Sequence, residues 1–234
     1  MKIAIYTLTR DRLFYTQECL RLLEENAGCE YDHFILDNGS TDGTSAWLVS
    51  RSRENVNLLM YPENIGISKA SNICVREILR LGNYDLIVKM DNDCAMRKPG
   101  TLAAIATIYA IDPGSDLWVL SPRVVGINRQ PRRATLRPIV GGREIGTTAI
   151  VGGLFHAVPA TIYQRFMAYG GYDETLPLAW GQDDQFCEWL RVNRYHNGYV
   201  ESLEVEHMET TDGQAKRYPD YFERKWKEEK ERPA

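Results

Sequence analysis

Four successive pairs of a short apolar segment and an amphipathic segment are the feature that most constrains the fold of this 234-residue chain. The first member of each pair is rich in β-forming residues, and the second places apolar residues at helical spacing. The pairs are KIAIYTLT with FYTQECLRLLEENAG, YDHFILD with TSAWLVSRSR, VNLLMYP with SKASNICVREILRLG, and YDLIVKM with GTLAAIATIYAID. This alternation predicts an α/β fold with a mostly parallel sheet and helices on both faces.

Beyond a fifth predicted strand, LWVLSPRVV, the alternation becomes irregular. Residues 123–143 contain six Arg and no acidic residue, which indicates either a solvated loop or a surface for an anionic partner. Residues 144–210 combine short strands with one predicted helix, DQFCEWLRVNR. The remaining tail is highly charged and is predicted to form a helix that either lies on the surface or packs through Tyr218, Tyr221, Phe222 and Trp226.

Composition and charge narrow the class of protein. The net charge of −4 argues against a protein whose whole surface binds nucleic acid or an acidic membrane. Five Cys without a CxxC pair indicate reduced thiols. The first apolar run is too short for a signal peptide, and no segment approaches the roughly 20 apolar residues of a membrane span. We therefore expect a cytoplasmic protein, either free or peripheral to a membrane.

Carboxylates cluster where two predicted strands end. Asp37 ends the second strand, and Asp91 and Asp93 follow the fourth with only Asn92 between them. The carboxyl ends of parallel strands meet at one edge of a sheet, where ligands bind. Two carboxylates that face the same way repel unless a cation lies between them, and Mg²⁺ and Mn²⁺ commonly bridge a protein carboxylate to substrate phosphates. The alternative is a solvated turn, because Asp and Asn favour turns.

Six short motifs then occur in a recognisable order. They are TRDR, DNGSTDGT, NIGISKASN, DND, GGYDE and GQD. Together they resemble the inverting family 2 glycosyltransferases of GT-A fold, over roughly residues 1–210. The family pattern has Asn where this chain has Asp11, and often Glu where it has Gln182.

The resemblance implies an organisation as well as an activity. The fold would be GT-A, a Rossmann-like, mostly parallel sheet with a smaller irregular acceptor-side region. Residues 1–120 would form the nucleotide-sugar-binding half, residues 121–215 the acceptor-binding and catalytic half of the same domain, and residues 216–234 a charged C-terminal helix. The implied enzyme moves one sugar from a nucleotide sugar to an acceptor hydroxyl with inversion and with Mn²⁺ or Mg²⁺ as cofactor.

Residue roles follow from the same resemblance. Asp37 would accept a hydrogen bond from the base, most naturally uracil of a UDP-linked donor. Asp93 would bind the metal. His207 would be a further metal ligand, although a His that merely closes a strand is an equal alternative. The residues implied to bind the nucleotide sugar are Thr7, Thr9, Arg12, Asp37, Asn64, Gly66, Lys69, Asp91 and Asn92.

The acceptor side is implied less completely. Asp183 would be the general base, and the departure at Gln182 leaves Asp184 as its competitor. The further acceptor-side residues are Gly153, Trp180, Asp184, Arg132 and Arg133. The Arg pair fits an anionic acceptor, and plain core packing or a solvated loop is the alternative for each of these positions.

Two other functions remain open at this point. A sugar-1-phosphate nucleotidyltransferase also has an α/β sheet with an acidic metal site, but it would show a G-x-G-x-R signature near the N-terminus, and this sequence has none. A non-catalytic nucleotide-sugar-binding protein of the same fold would not need the Asp183 carboxylate, which is present.

Overall fold

The computed structural model describes residues 1–51, 53–126, 136–176 and 181–231. Its strands are β1 (Ile3–Thr9), β2 (Asp32–Asn38), β3 (Val56–Tyr61), β4 (Leu86–Met90), β5 (Cys94–Ala95), β6 (Trp118–Val125), β7 (Ile139–Val140), β8 (Arg143–Thr147), β9 (Phe155–Pro159) and β10 (His196–His207). Its α-helices are α1 (Leu13–Asn26), α2 (Thr44–Ser50), α3 (Ile67–Leu81), α4 (Thr101–Ile111), α5 (Ala160–Tyr169), α6 (Gln182–Val192), α7 (Thr211–Arg217) and α8 (Pro219–Glu231). A short 3₁₀ helix, Pro113–Leu117, leads into β6.

The strands form one mixed sheet in the order β3-β2-β1-β4-β9-β6-β10-β8-β7, with β5 paired to β10. Strands β3, β2, β1 and β4 are mutually parallel. Strand β9 is antiparallel to both β4 and β6, and β10 runs parallel to β6. The prediction of a mostly parallel sheet is therefore confirmed, and the carboxyl ends of β1 and β4 lie side by side.

Alternate residues of the central strands pack on opposite faces of the sheet. In β1, Ile3 and Ile5 pack with residues of α1 and α4, whereas Ala4 and Tyr6 pack with residues of α3, α5 and α6. This division follows the two-residue period of a strand. It confirms helices on both faces and gives the domain two apolar layers, one on each side of β1 and β4.

Two elements differ from the sequence-based expectation. Helix α5 lies in the stretch 144–210, where only one helix was predicted, and its buried face includes Ile162, Tyr163 and Phe166. The strand FHAVP is followed by α5 with no loop between them, and Pro159 alone marks the boundary. The second element is the two-residue strand β5, which is too short for any periodicity to reveal.

The C-terminal segment after β10 forms two helices. Helix α7 begins at a Thr210 cap whose side chain accepts from the Gly213 N–H. Helix α8 packs back onto the carboxyl edge of the sheet through Tyr221 and Phe222, both buried, while Trp226 is about half exposed. None of the helices within the described ranges is long and apolar enough to cross a membrane.

Candidate active site

The first and fourth strands deliver their polar ends to one cleft. Because β1 and β4 pair in parallel, the segments that follow Thr9 and Met90 emerge together. The side-chain amide of Asn92 donates to Thr9 Oγ1 at 3.2 Å and to Thr16 Oγ1 at 3.0 Å. Asn92 is thereby buried and ties the two strand ends to helix α1.

Arg12 projects into this cleft from an unusual backbone conformation. Asp11 and Arg12 both have positive φ, 51° and 59°, a region that residues other than Gly seldom occupy. The turn aims the Arg12 guanidinium at three side chains. It donates to Asn92 Oδ1 at 2.7 Å, to Asp93 Oδ2 at 3.0 Å and to Gln214 Oε1 at 2.6 Å. The ring of Tyr221 covers the guanidinium at 5.1 Å.

Asp93 is a buried carboxylate surrounded by donors. Besides Arg12, the Gln214 amide donates to its Oδ2 at 2.9 Å, and His207 Nε2 lies 3.7 Å from the same oxygen. Burial alone would raise the pKa of Asp93, but the Arg12 charge, His207 and the Gln214 hydrogen bond together hold it below its usual value. Asp93 is therefore ionised at neutral pH.

The short strand β5 explains why His207 reaches Asp93. Cys94 and Ala95 pair antiparallel with His207 and Glu206 at the end of β10. The backbone N–H of Met208 also donates to the Asp93 carbonyl at 3.0 Å. These bonds fix the last residue of β10 beside the DND loop, so the two predicted metal ligands converge.

The donor atoms at this point suit a divalent cation that is shared with a ligand. No group of three or more His, Cys, Asp or Glu side chains is arranged to hold a metal within the ranges that the structure describes. Asp93 and His207 offer an oxygen and a nitrogen, and His207 Nδ1 is buried without a hydrogen-bond partner in the same ranges. Mg²⁺ is usually bound through one or two carboxylates, with waters and substrate phosphates as the other ligands. Asp93 fits that pattern as the carboxylate, and His207 adds an imidazole nitrogen beside it.

A second charged cluster lies next to the first and was not anticipated from the sequence. Lys89 in β4 is 2% exposed, and its Nζ lies 3.2 Å from Asp91 Oδ1 and 3.5 Å from Asp183 Oδ1. The same ammonium donates to the Gly153 carbonyl at 3.0 Å. Burial raises the pKa of Asp91, with contributions from Asp93 and Asp183, and Lys89 opposes the rise. Asp91 and Asp183 thus face one shared cation.

The glycine at position 153 leaves the space that this cluster occupies. A Cβ at Gly153 would lie 2.2 Å from Lys89 Nζ and 2.5 Å from Asp183 Oδ2. Asp183 and Asp184 both lie in the first turn of α6, where carboxylates interact favourably with the helix dipole. Asp183 turns toward the sheet and is a quarter exposed, whereas Asp184 is exposed to solvent. The two competing positions therefore differ clearly in surroundings.

The second motif forms a turn and contributes Asn38 to the wall of the cleft. Asp37 is fully buried, and its carboxylate accepts from the backbone and hydroxyl of Ser40 and from the hydroxyl of Ser45. Asn38 beside it donates to Asn64 Oδ1 at 3.0 Å. Asn64 in turn accepts from the Gly66 N–H at 3.1 Å, just before the start of α3. These bonds join the ends of β2 and β3.

The predicted donor residues separate into two groups. Five of them, together with both predicted metal ligands, line a cavity of about 230 Å³. The lining residues among the predictions are Thr9, Arg12, Asn64, Asp91, Asn92, Asp93 and His207. The others lie outside its wall: Thr7 is buried against His33, Asp37 and Gly66 stabilise the turns described above, and Lys69 is exposed on α3. Trp180, Arg132 and Arg133 lie outside the described residues.

The C-terminal helices complete the cleft, which sequence reasoning missed. Gln214 and Tyr221 contact Arg12, and Phe222 and Lys225 also line the cavity. The carboxylate of Asp11, at the position where the family motif has Asn, accepts from Arg224 of α8 at 2.8 Å. Its other oxygen accepts from the Thr41 N–H at 2.6 Å. The departure at Asp11 therefore coincides with an ion pair to α8, a link between two segments far apart in sequence.

Many solved structures match this fold, and three of them are described here. The mannosyltransferase PcManGT from Pyrobaculum calidifontis, in complex with GDP-Man and Mn²⁺, superposes with a TM-score of 0.66 and 16% identity, over 93% of this chain and 60% of that one. TarS from S. aureus gives a TM-score of 0.68 and 16% identity, over 97% and 65%. GalNAc-T7, crystallised with UDP, GalNAc and Mn²⁺, gives 0.68 and 12%, over 88% and 44%.

The similarity is one of structure rather than sequence. No protein-family model matches the chain, and no curated protein matches it at a significant level. The chain spans about three fifths of the length of PcManGT and about two thirds of that of the TarS fragment. The architecture is that of the GT-A glycosyltransferases, which confirms the predicted fold.

Proposed function

We propose that this chain is a metal-dependent, inverting glycosyltransferase that moves one sugar from a nucleotide sugar to an acceptor hydroxyl. The proposed donor is a UDP-linked sugar. One observation carries the proposal: Asp91, Asn92, Asp93 and His207 converge with Arg12 in a cleft at the carboxyl ends of β1 and β4. That edge is where ligands bind in open α/β sheets. Solved structures of the same fold include complexes with GDP-Man and with UDP-GlcNAc.

The donor would lie along this cleft with its diphosphate near the positive charge. The Arg12 guanidinium is planar and suited to paired hydrogen bonds with phosphate oxygens. Asp91 lines the cleft and is one third exposed, so it has a free approach for a ribose hydroxyl. Asp37 would serve the nucleotide indirectly, because its carboxylate holds the 40–45 turn rather than lining the cavity.

A divalent ion would be held by Asp93 and His207 together with the donor diphosphate. When bound there, Mn²⁺ or Mg²⁺ would neutralise negative charge on the leaving diphosphate. The protein itself orients both groups: Gln214 and Arg12 hold the Asp93 carboxylate, and the pairing of β5 with β10 holds His207. PcManGT and GalNAc-T7 were each solved with Mn²⁺, which supports this assignment.

Asp183 is the proposed general base for the acceptor hydroxyl. Its carboxylate is a quarter exposed and lies 3.5 Å from the buried ammonium of Lys89, so it is open to an acceptor hydroxyl while one cation holds it in place. Asp184, exposed on the outer side of the first turn of α6, lacks such a partner among the described contacts. The acceptor would then approach from the half formed by residues 121–215, where Gly153 contacts Lys89 and Asp183. Acceptor contact by Trp180, Arg132 and Arg133 stays a prediction.

The direct test is product formation. Purified protein is incubated with UDP- and GDP-sugars, with Mn²⁺ or with chelator, and release of nucleoside diphosphate is measured alongside the fate of the sugar. Metal-dependent release with the sugar transferred to water or to an added glycan supports the proposal. Release of nucleoside triphosphate on addition of pyrophosphate would instead identify a sugar-1-phosphate nucleotidyltransferase. Tight binding of a nucleotide sugar without any turnover, across glycan, lipid and peptide acceptors, would identify a binding protein.

A further inference from the structure

A buried lysine occupies a position in β4 where an apolar residue would be expected. The strand reads LIVKM, and Leu86, Val88 and Met90 pack on the face shared with α1 and α4. Ile87 packs on the opposite face, which Lys89 shares by the alternation of a strand. Lysine is almost never fully buried unless it is paired. A charge at this place in the core therefore needs a local reason.

The surroundings of Lys89 supply that reason. Its ammonium donates to the Gly153 carbonyl at 3.0 Å and forms ion pairs with Asp91 Oδ1 at 3.2 Å and Asp183 Oδ1 at 3.5 Å. Asp183 Oδ1 is buried, and no hydrogen bond reaches it from the described residues, so the ammonium is its compensating group. Burial alone would lower the pKa of Lys89, but Asp183 and Asp91 raise it above its usual value.

We propose that Lys89 is a positioning residue that couples the donor side of the site, at Asp91, to the acceptor side, at Asp183. The inference rests on the proposed function and adds to it a residue that touches neither sugar nor nucleotide. Asp91 lies on the loop after β4 and Asp183 at the start of α6, and their like charges would drive the two elements apart. One fixed cation between them holds both carboxylates at a set distance.

The geometry at Gly153 supports the same assignment independently. Its backbone conformation is open to any residue, since its φ is not positive, yet a Cβ there would collide with both Lys89 Nζ and Asp183 Oδ2. Gly152, the preceding residue, has nothing within 4 Å of an added Cβ. The two neighbouring glycines therefore form a matched pair, of which only one disturbs the Lys89–Asp183 contact.

A double-mutant cycle with Lys89→Met and Asp183→Asn tests the coupling. If Lys89 acts through Asp183, Lys89→Met lowers kcat by about tenfold or more, the scale on which misplaced catalytic groups act. In the Asp183→Asn background the same change costs no further turnover. Multiplicative losses in kcat, or a loss confined to donor Kd, would overturn the proposal.

The same four proteins are unfolded with urea, so that the cycle has a readout independent of turnover. Lys89→Met should lower the unfolding midpoint, and at least half of that loss should disappear with Asp183→Asn, because the uncompensated carboxylate has been removed. Coupling in unfolding together with no sugar transfer by the wild type would refute the proposed function but not the Lys89–Asp183 linkage. Additive effects in unfolding would refute the linkage itself.

A second variant covers the case in which Lys89→Met does not fold. Gly153→Ala keeps every charge and displaces the contact with one methyl group, so it should reproduce the loss of kcat. Gly152→Ala is its control and should match the wild type. Equal activity of the two alanine variants would contradict the positioning role.

Discussion

Arg12 donates to Asp93 across 3.0 Å, so the carboxylate assigned to a divalent ion already has a cation that belongs to the protein. Both side chains are largely buried, with 14% and 8% exposure. Arg12 also belongs to a larger arrangement, because Gln214 accepts from it and donates to Asp93. Any divalent ion at Asp93 therefore shares the carboxylate with a guanidinium, and the two positive charges repel each other.

Arg12→Gln should therefore strengthen the binding of Mn²⁺ to the free protein. Removal of one positive charge about 5 Å from a divalent ion favours binding by about tenfold even at the dielectric constant of bulk water, and by more in a buried site. The number and affinity of bound Mn²⁺ ions can be measured by the loss of the free-ion electron paramagnetic resonance signal. Arg21→Gln on the exposed face of α1, where Arg21 pairs with Glu18 and Glu25, is the control. Unchanged or weaker Mn²⁺ affinity in Arg12→Gln would show that Asp93 does not bind the ion.

Asp183→Asn should lower turnover by roughly 10² or more and leave donor affinity nearly unchanged, which is the usual scale for loss of general-base catalysis. Asp184→Asn is the matched comparison one residue away, on the exposed side of the same helical turn. It should retain turnover within a few-fold of the wild type. The reverse ranking of the two variants would assign the base to Asp184.

The fold could be predicted from the sequence because its signals are local. The first four strands and their helices have clear local signals, unlike the two-residue β5, and Asp91 and Asp93 were placed correctly at the end of a strand. The cleft was only partly predictable, because its other walls come from contacts without a local pattern. In the sequence, Lys89 is only a charged residue within an apolar strand, because Asp183 comes beside it only in the folded chain. Gln214 and Tyr221 lie in a helical tail that resembles a solvated surface segment. A Lys in the middle of a buried strand, two residues before a DxD, was the one available signal.

The free energy of unfolding should decrease as the pH falls through the range in which His33 titrates. Burial lowers the pKa of His33 from 6.5 to about 3, and its Nε2 shares a hydrogen bond with Thr7. Because the folded-state pKa lies below the unfolded one, the unfolded chain binds the extra proton in between. The contribution of the buried, neutral His33 to the free energy of unfolding is complete above about pH 6.5 and is lost as the pH falls toward 3. It amounts to a few kcal/mol at most, since one pKa unit corresponds to about 1.4 kcal/mol.

His33→Gln should flatten the dependence of the free energy of unfolding on pH between about 6.5 and 4, measured by urea denaturation at several pH values. His196→Gln is the control, because His196 is exposed at the start of β10. The same slope in His33→Gln and wild type would show that His33 is not the group responsible.

Arg224→Met should loosen helix α8 from the cleft. Arg224 pairs with the Asp11 carboxylate, which is only 2% exposed, and donates to Thr41 Oγ1 at 3.0 Å. We expect the lost hydrogen bond to the buried Asp11 charge to cost about 1–2 kcal/mol. This value is already reduced because Arg224 itself is half exposed. Hydrogen–deuterium exchange should then accelerate in residues 219–231 and at the turn that holds Asp11. Arg80→Met, which removes an exposed pair with Glu77 on α3, should leave exchange in α8 unchanged. Equal exchange in α8 for both variants would mean that Arg224 does not hold the helix.

We infer that the cleft at Asp93 binds a nucleoside diphosphate through a divalent ion. Calorimetric titration of UDP and GDP into the wild type and into Asp93→Ala measures this binding. Each titration is carried out with Mn²⁺ and with chelator. We expect Mn²⁺ to strengthen binding of at least one of the two nucleotides to the wild type. Asp93→Ala, which circular dichroism should show to be folded, should gain no affinity from Mn²⁺. Equal Mn²⁺-dependent affinity in the two proteins would contradict binding of the diphosphate through an ion at Asp93.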